Sequence, residues 1–222
     1  AVIAGGSLLG VQVRRKNIFV PVGQIEIEPV APLYFAEFLL NLSPKLYEIL
    51  NGRKSLEPLP EYLLPELERR YREYLCIGGM PTAVSAFAEE SGIAAVEKVL
   101  SDILTLYRLD FSQYASAAAS MRINNVWNAV PSQLAKPDSR FFFSQVAKGA
   151  QGREYAPAVQ WLQDAGLIMA VHRASLPQLP LSAHAEPDIY KIYAADIGLL
   201  RVLAHVSAAA IMEPALLFKE FK

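Results

Sequence analysis

One cysteine, Cys76, in 222 residues excludes any disulfide within the chain and agrees with a reducing compartment. Net charge is nearly absent: 21 Lys and Arg stand against 22 Asp and Glu, leaving −1. The chain as a whole is therefore neither a polycation that coats nucleic acid nor an acidic tail. No apolar run approaches the ~20 residues that cross a bilayer. The opening "AVIAGGSLLGVQVRRK" carries its basic residues after its apolar stretch, the reverse of a signal peptide. A cytoplasmic protein without membrane contact is expected. The three histidines, His172, His184 and His205, have no cysteine pair beside them, so the spacing of a zinc site is missing. No G-x-x-x-x-G-K-[ST] occurs, and "NGRKS" at 51–55 places an arginine between Gly and Lys. "GGSLLG" fits neither G-x-S-x-G nor G-x-G-x-x-G, which leaves a nucleophile elbow and a dinucleotide fingerprint without support.

What is present is apolar bulk, 53% hydrophobic with a mean hydropathy of +0.22, enough for one large or two small cores. "VQVRRKNIFVPVGQIEIEPV" alternates apolar and polar residues and predicts strands near 11–13, 18–20 and 24–29. "YFAEFLLNL" puts Phe35, Phe38, Leu39 and Leu42 at helical spacing, and "NGRKSLEPLP" at 51–60 reads as a linker. Beyond Pro65, Leu63, Leu67, Tyr71 and Tyr74 form one stripe of a helix, with Glu68–Arg72 and Arg69–Glu73 as i,i+4 pairs on another face. Gly78-Gly79 ends that helix and Pro81 opens the next. Val96, Val99, Leu100, Ile103 and Tyr107 mark the buried face of a third, and "YASAAASM" at 114–121 suggests a weak hinge.

The last hundred residues hold the clearest order. "MRINNVWNAVPSQLAK" is a helix and turn, and "SRFFFSQV" a short strand or helix. "GREYAPAVQWLQDAGL" is a helix closed by Gly166, "LIMAVHRA" and "IYKIYAAD" are strands around a proline-bearing loop, and "IGLLRVLA" is a final helix. That order is the order of a winged helix, with an expected core of Trp127, Leu134, Val159, Leu162, Leu167 and Ile192. Asp110, Asp164 and Asp196, each near a helix end, read as caps or local hydrogen-bonding groups. Cys76, without a basic sequence neighbour, reads as a small buried residue. Between residues 120 and 153 five cations, Arg122, Lys136, Arg140, Lys148 and Arg153, face Asp138 alone. They flank the step into the recognition helix and are the candidate nucleic-acid contacts.

Seven strings in fixed order, "AGGSLLGV", "FVPVGQIEIEPVAPLYFAEFL", "YREYLCIGGMPTAV", "VPSQLAK", "QWLQDAGLI", "YAADIGLL" and "LFKEFK", resemble bacterial and archaeal AAA-type P-loop ATPases that carry a C-terminal domain of unknown function 4143. The resemblance implies an α+β, mainly helical chain in which a remnant of the ATPase-core sheet (1–50) precedes a helical lid segment (51–114). A winged helix (115–204) and a tail leading to a further domain (205–222) follow. It implies that the P-loop and the Mg-binding strand precede residue 1, so that ATP and Mg are cofactors of the intact ATPase and none is expected here. Ser7 matches a sensor position near the γ-phosphate. The implied role is a non-catalytic regulatory or interaction segment. Its expected partners are nucleic acid or protein on the winged helix, and a second copy through the amino-terminal strands. Two alternatives remain open at this point, a free-standing winged-helix DNA-binding regulator and a protein-interaction scaffold.

Overall fold

The computed structural model describes residues 28, 30–53, 58–89, 92–138 and 140–213. Ser7, the strands expected near 11–13 and 18–20, all of 24–29 except residue 28, and the chain beyond 213 lie outside them. The described helices are α1 (Phe35–Leu42), α2 (Pro44–Asn51), α3 (Leu64–Ile77), α4 (Pro81–Ala88), α5 (Gly92–Tyr114), α6 (Ala117–Leu134), α7 (Gly152–Asp164), α8 (Ile197–Leu203) and α9 (Ala208–Met212). Strands β1 (Ile168–Ala174) and β2 (Ala185–Ala194) form one antiparallel sheet between α7 and α8. The class is α+β and mainly helical. Two compact units result, one built on 108–195, the other on 32–107 with 196–213.

In the unit of 32–107 and 196–213, α1 and α2 form a helical hairpin. The Glu37 carboxylate accepts the Tyr34 amide at 3.1 Å at the start of α1, and Pro44 sets the first turn of α2. Leu39, Leu46 and Leu63 make a small core ringed by Phe35, Tyr47, Leu50 and Leu67. The α3 stripe is only partly inward: Leu63 is buried and Tyr74 half-buried, while Tyr71 is exposed. The helix also buries Arg72 and Glu73; α9 packs on it, and Arg72 donates to the Ile211 carbonyl at 3.2 Å and to Glu68 at 2.5 Å. Glu73 accepts from Arg69 at 2.5 Å and Arg70 at 2.9 Å. Both i,i+4 pairs expected from the sequence form.

The sequence groups Ile197–Leu203 with the segment 115–204; in the structure α8 packs on α3. Buried Asp196 caps α8 by accepting the Leu199 amide at 2.8 Å and also accepts the Gly79 amide at 2.6 Å. Arg201, also buried, donates its Nε to the Cys76 carbonyl at 2.9 Å and its Nη1 to Glu97 at 2.7 Å and the Val206 carbonyl at 2.9 Å. The Gly79 carbonyl accepts the Leu33 amide at 2.8 Å. Cys76 is buried as expected; burial pushes its thiol up to about 11, the uncharged form of a packing residue.

In the unit of 108–195, the stretch expected to act as a hinge at 114–121 is broken only at 115–116, since Ser116 caps α6 by accepting the Ala119 amide at 3.4 Å. The rings of Phe111 and Trp161 meet edge to face at 5.3 Å, and Asn125 donates to the Tyr155 hydroxyl at 3.3 Å, tying α6 to α7. Trp127, Val159, Leu162, Leu167 and Ile192 are buried; Leu134 is half-buried. Gly166 takes φ +71° after α7, where its amide bonds Gln163 and that of Leu167 bonds Leu162, the left-handed helix ending that favours glycine. An added Cβ at Gly166 meets nothing within 4 Å. Gly166→Ala is expected to lower stability by about 1 kcal/mol, the cost of the left-handed backbone alone, with an unchanged m-value in urea unfolding.

The chain then enters the hairpin, which pairs Ile168 with Ala194, Ala170 with Ile192 and His172 with Tyr190, followed by an irregularity before Arg173 and Glu186. Buried Ile168, Tyr190 and Ile192 alternate with exposed Met169, Lys191 and Tyr193.

Candidate nucleic-acid interface

The described part of "SRFFFSQV", residues 140–146, runs through an extended Phe142 into a single 3-10 turn, Phe143–Gln145. The Phe141 amide donates to the Tyr190 carbonyl at 2.8 Å, and the Phe142 amide donates to Gln133 Oε1 at 2.6 Å. Residues 141 and 142 are thus pinned to β2 on one side and to the end of α6 on the other. The ring of Phe141 stacks on Tyr190 at 5.9 Å and 15°, and the His172 ring lies 5.1 Å from the same Tyr190 ring. Burial, with Asp188 adding its negative charge, pushes Tyr190 up to about 12, so its hydroxyl keeps its proton.

Beside this aromatic row lies an open groove of about 400 Å³. Asp138 and Arg140 line it from the segment before Phe141, Val171, His172 and Arg173 from β1, and Ile189, Tyr190 and Lys191 from β2. The Arg140 guanidinium sits 4.5 Å from the centre of the Phe142 ring, a cation–π contact that fixes its plane. Asp138 reaches Arg140 Nη2 at 3.3 Å and also accepts the Arg140 backbone amide at 3.1 Å. Arg140 Nε is buried and unpartnered among the described residues. Arg173 is joined across the strands to Glu186 at 3.1 Å.

The five cations read from the sequence are not one cluster of equivalent groups. Arg122 is half-buried on α6. Lys136, exposed just past α6, donates to Gln145 Oε1 at 2.6 Å. Lys148 and Arg153 are exposed, one in the turn before α7 and the other at its second residue, with Glu154 next to Arg153. Arg140 alone joins the groove, where it meets Arg173 and Lys191. Those two cations fall outside the 120–153 window in which the sequence is asymmetric. The register that pairs Val171 with Lys191 places the second of them on the outward face, and the alternation of "IYKIYAAD" is the signal that carries it.

Among the described residues no helix is long and apolar enough to cross a membrane, and no three His, Cys, Asp or Glu residues gather as metal ligands. Residues 68–210 match the model of a family described as Domain of unknown function (DUF8612). The match covers more than half of the chain, which belongs to that family. No curated protein and no solved structure matches the chain.

Proposed function

We propose that the chain is a non-catalytic regulatory and interaction segment of an AAA-type ATPase, and that residues 108–195 are its winged helix, which contacts nucleic acid. One observation carries the winged-helix reading: α6 is followed by an extended step bonded from Phe141 to Tyr190, a short turn, α7, and the β1–β2 hairpin. In such a module α7 is the recognition helix and the hairpin is the wing. Lys148 and Arg153 ahead of and within the first turn of α7, and Arg140, Arg173 and Lys191 along the hairpin groove, supply cations of the kind that hold phosphates. The seven ordered strings support the ATPase assignment. ATP and Mg belong in this reading to the intact ATPase, and its compartment is the cytoplasm.

The hairpin tip favours a second reading. Leu176, Leu179 and Leu181 are exposed there, Leu179 to 89%, and an apolar tip suits a protein partner better than a phosphate backbone. Fluorescence anisotropy with a labelled duplex separates the two. Binding that weakens steeply as salt rises supports nucleic-acid contact, whereas no duplex binding at low salt leaves the protein partner. Isothermal titration with Mg-ATP is expected to show no saturable binding, because the P-loop amides and lysine that hold the phosphates are absent from the sequence. Saturable binding removes the ATPase-segment reading.

A further inference from the structure

The outward face of α7 is poorly equipped to read bases. Its exposed residues are Arg153, Glu154, Ala156, Pro157 and Gln160. Gln160 is already engaged, donating to Asp164 Oδ1 at 2.8 Å, and the Glu154 carboxylate opposes the phosphates on either side of a groove. Only Arg153 remains free to reach a guanine edge. The groove along the hairpin has the opposite character. Lys191 makes no hydrogen bond or ion pair with the described residues, and Arg140 keeps a buried Nε without a partner beside a carboxylate that reaches it only at 3.3 Å. Both line the groove of about 400 Å³, together with Arg173 and His172, the apolar Val171 and Ile189, Tyr190, and the Asp138 carboxylate that pairs with Arg140. Phosphate oxygens fit the unpaired Lys191 and the outer edge of the Arg140 guanidinium, in exchange for its contact with Asp138, and Val171 and Ile189 fit the face of a sugar.

We infer that the hairpin groove, with Arg140 and Lys191 as its phosphate-holding side chains, is where this chain seats a nucleic-acid backbone, and that the contact is sequence-independent. The inference rests on the proposed nucleic-acid contact and assigns it to the wing in place of the recognition helix. Each phosphate neutralised by a cation releases counterions, so removing one cation lowers the log–log salt slope by about 1 and weakens all sequences alike.

The test is anisotropy of two unrelated duplexes of equal length across a salt series, with the full chain, Lys191→Gln, Arg140→Gln and Arg153→Gln. Lys191→Gln and Arg140→Gln are each expected to reduce the slope by about 1 on both duplexes, with Arg153→Gln leaving the relative affinity of the two duplexes unchanged. Because Arg140 also packs on Phe142, its thermal melt is compared with wild type; Lys191 is exposed and serves as the variant free of that packing role. Inorganic pyrophosphate, added at constant ionic strength, is expected not to displace the duplex. An unchanged slope in Lys191→Gln, a preference between the duplexes that vanishes in Arg153→Gln, or displacement by pyrophosphate each overturns the inference while leaving nucleic-acid or phosphate binding itself intact. Absence of duplex binding in the wild type overturns the functional proposal from which it starts.

Discussion

Replacing Gly79 with alanine is expected to lower the stability of the unit built on 32–107 and 196–213 by about 3 kcal/mol or more. An added Cβ falls 2.7 Å from the nitrogen and from the carbonyl carbon of Leu33, and closer still to its carbonyl oxygen. The obstacle is backbone, which has no rotamer to change. It is also tethered: the Leu33 amide donates to the Gly79 carbonyl at 2.8 Å, while the Gly79 amide is held by Asp196 at 2.6 Å. Relief of the overlap therefore breaks one of these bonds. Gly166→Ala is the matched comparison, since it adds the same methyl group in open space. If urea unfolding shows Gly79→Ala to be as mild as Gly166→Ala, Leu33 yields and the close approach does not hold the unit together.

Asp196→Ala is the second large effect. The carboxylate is buried and takes the amides of both Gly79 and Leu199. Its loss strands two buried donors at about 1–3 kcal/mol each, one of which, the Leu199 amide, is the cap of α8. A total near 3 kcal/mol or above is expected in urea unfolding, against a few tenths for an exposed carboxylate such as Asp188. The acid range adds a signature. Burial holds the Asp196 carboxyl above its ordinary value, although the amides of Leu199, Gly79 and Gly198 pull the other way. A group whose folded value is raised contributes stability that is complete below its unfolded value, near ~3.9, and is lost as pH rises through the folded value. The stability of the wild type relative to Asp196→Asn is therefore expected to fall with rising pH across that window. Glu66, held below its ordinary value by hydrogen bonds and charge from Arg69 and Arg70, has the opposite sign and is common to both proteins, so the difference isolates Asp196. A difference that grows with pH contradicts the buried-carboxyl account.

The helices of 64–164 were legible because their ends are marked in the sequence. Pro65 and Pro81 sit in first turns, and Gly78 and Gly166 follow last turns with positive φ; the start of α6 was missed, because its cap, Ser116, lies in the small-residue stretch read as a hinge. The hairpin was legible from its period of two and the proline-bearing loop between its strands. "SRFFFSQV" was ambiguous for a physical reason: three consecutive phenylalanines have neither a helical nor an alternating period. Their conformation is set by Tyr190, some fifty residues further on, and by Gln133. Burial of Arg72 and Glu73 was equally hidden, since local pattern places charged residues outside, and the Ile211 carbonyl that Arg72 meets on α9 lies about 140 residues later. The same limit applied to the basic surface. Counting charge along the chain found Arg140 but not Arg173 or Lys191, because strand pairing, not sequence proximity, brings the three to one groove.

The proposed nucleic-acid contact places one defined surface of residues 108–195 against the duplex. Amide chemical-shift mapping of the full chain titrated with a short duplex at low salt tests it most directly. The predicted result is a contiguous set of shifts at Arg140, His172, Arg173 and Lys191, smaller shifts at Lys148 and Arg153, and none at the Gly79–Asp196–Arg201 junction. Shifts confined to 32–107 and 196–213, or no shifts at all, contradict it.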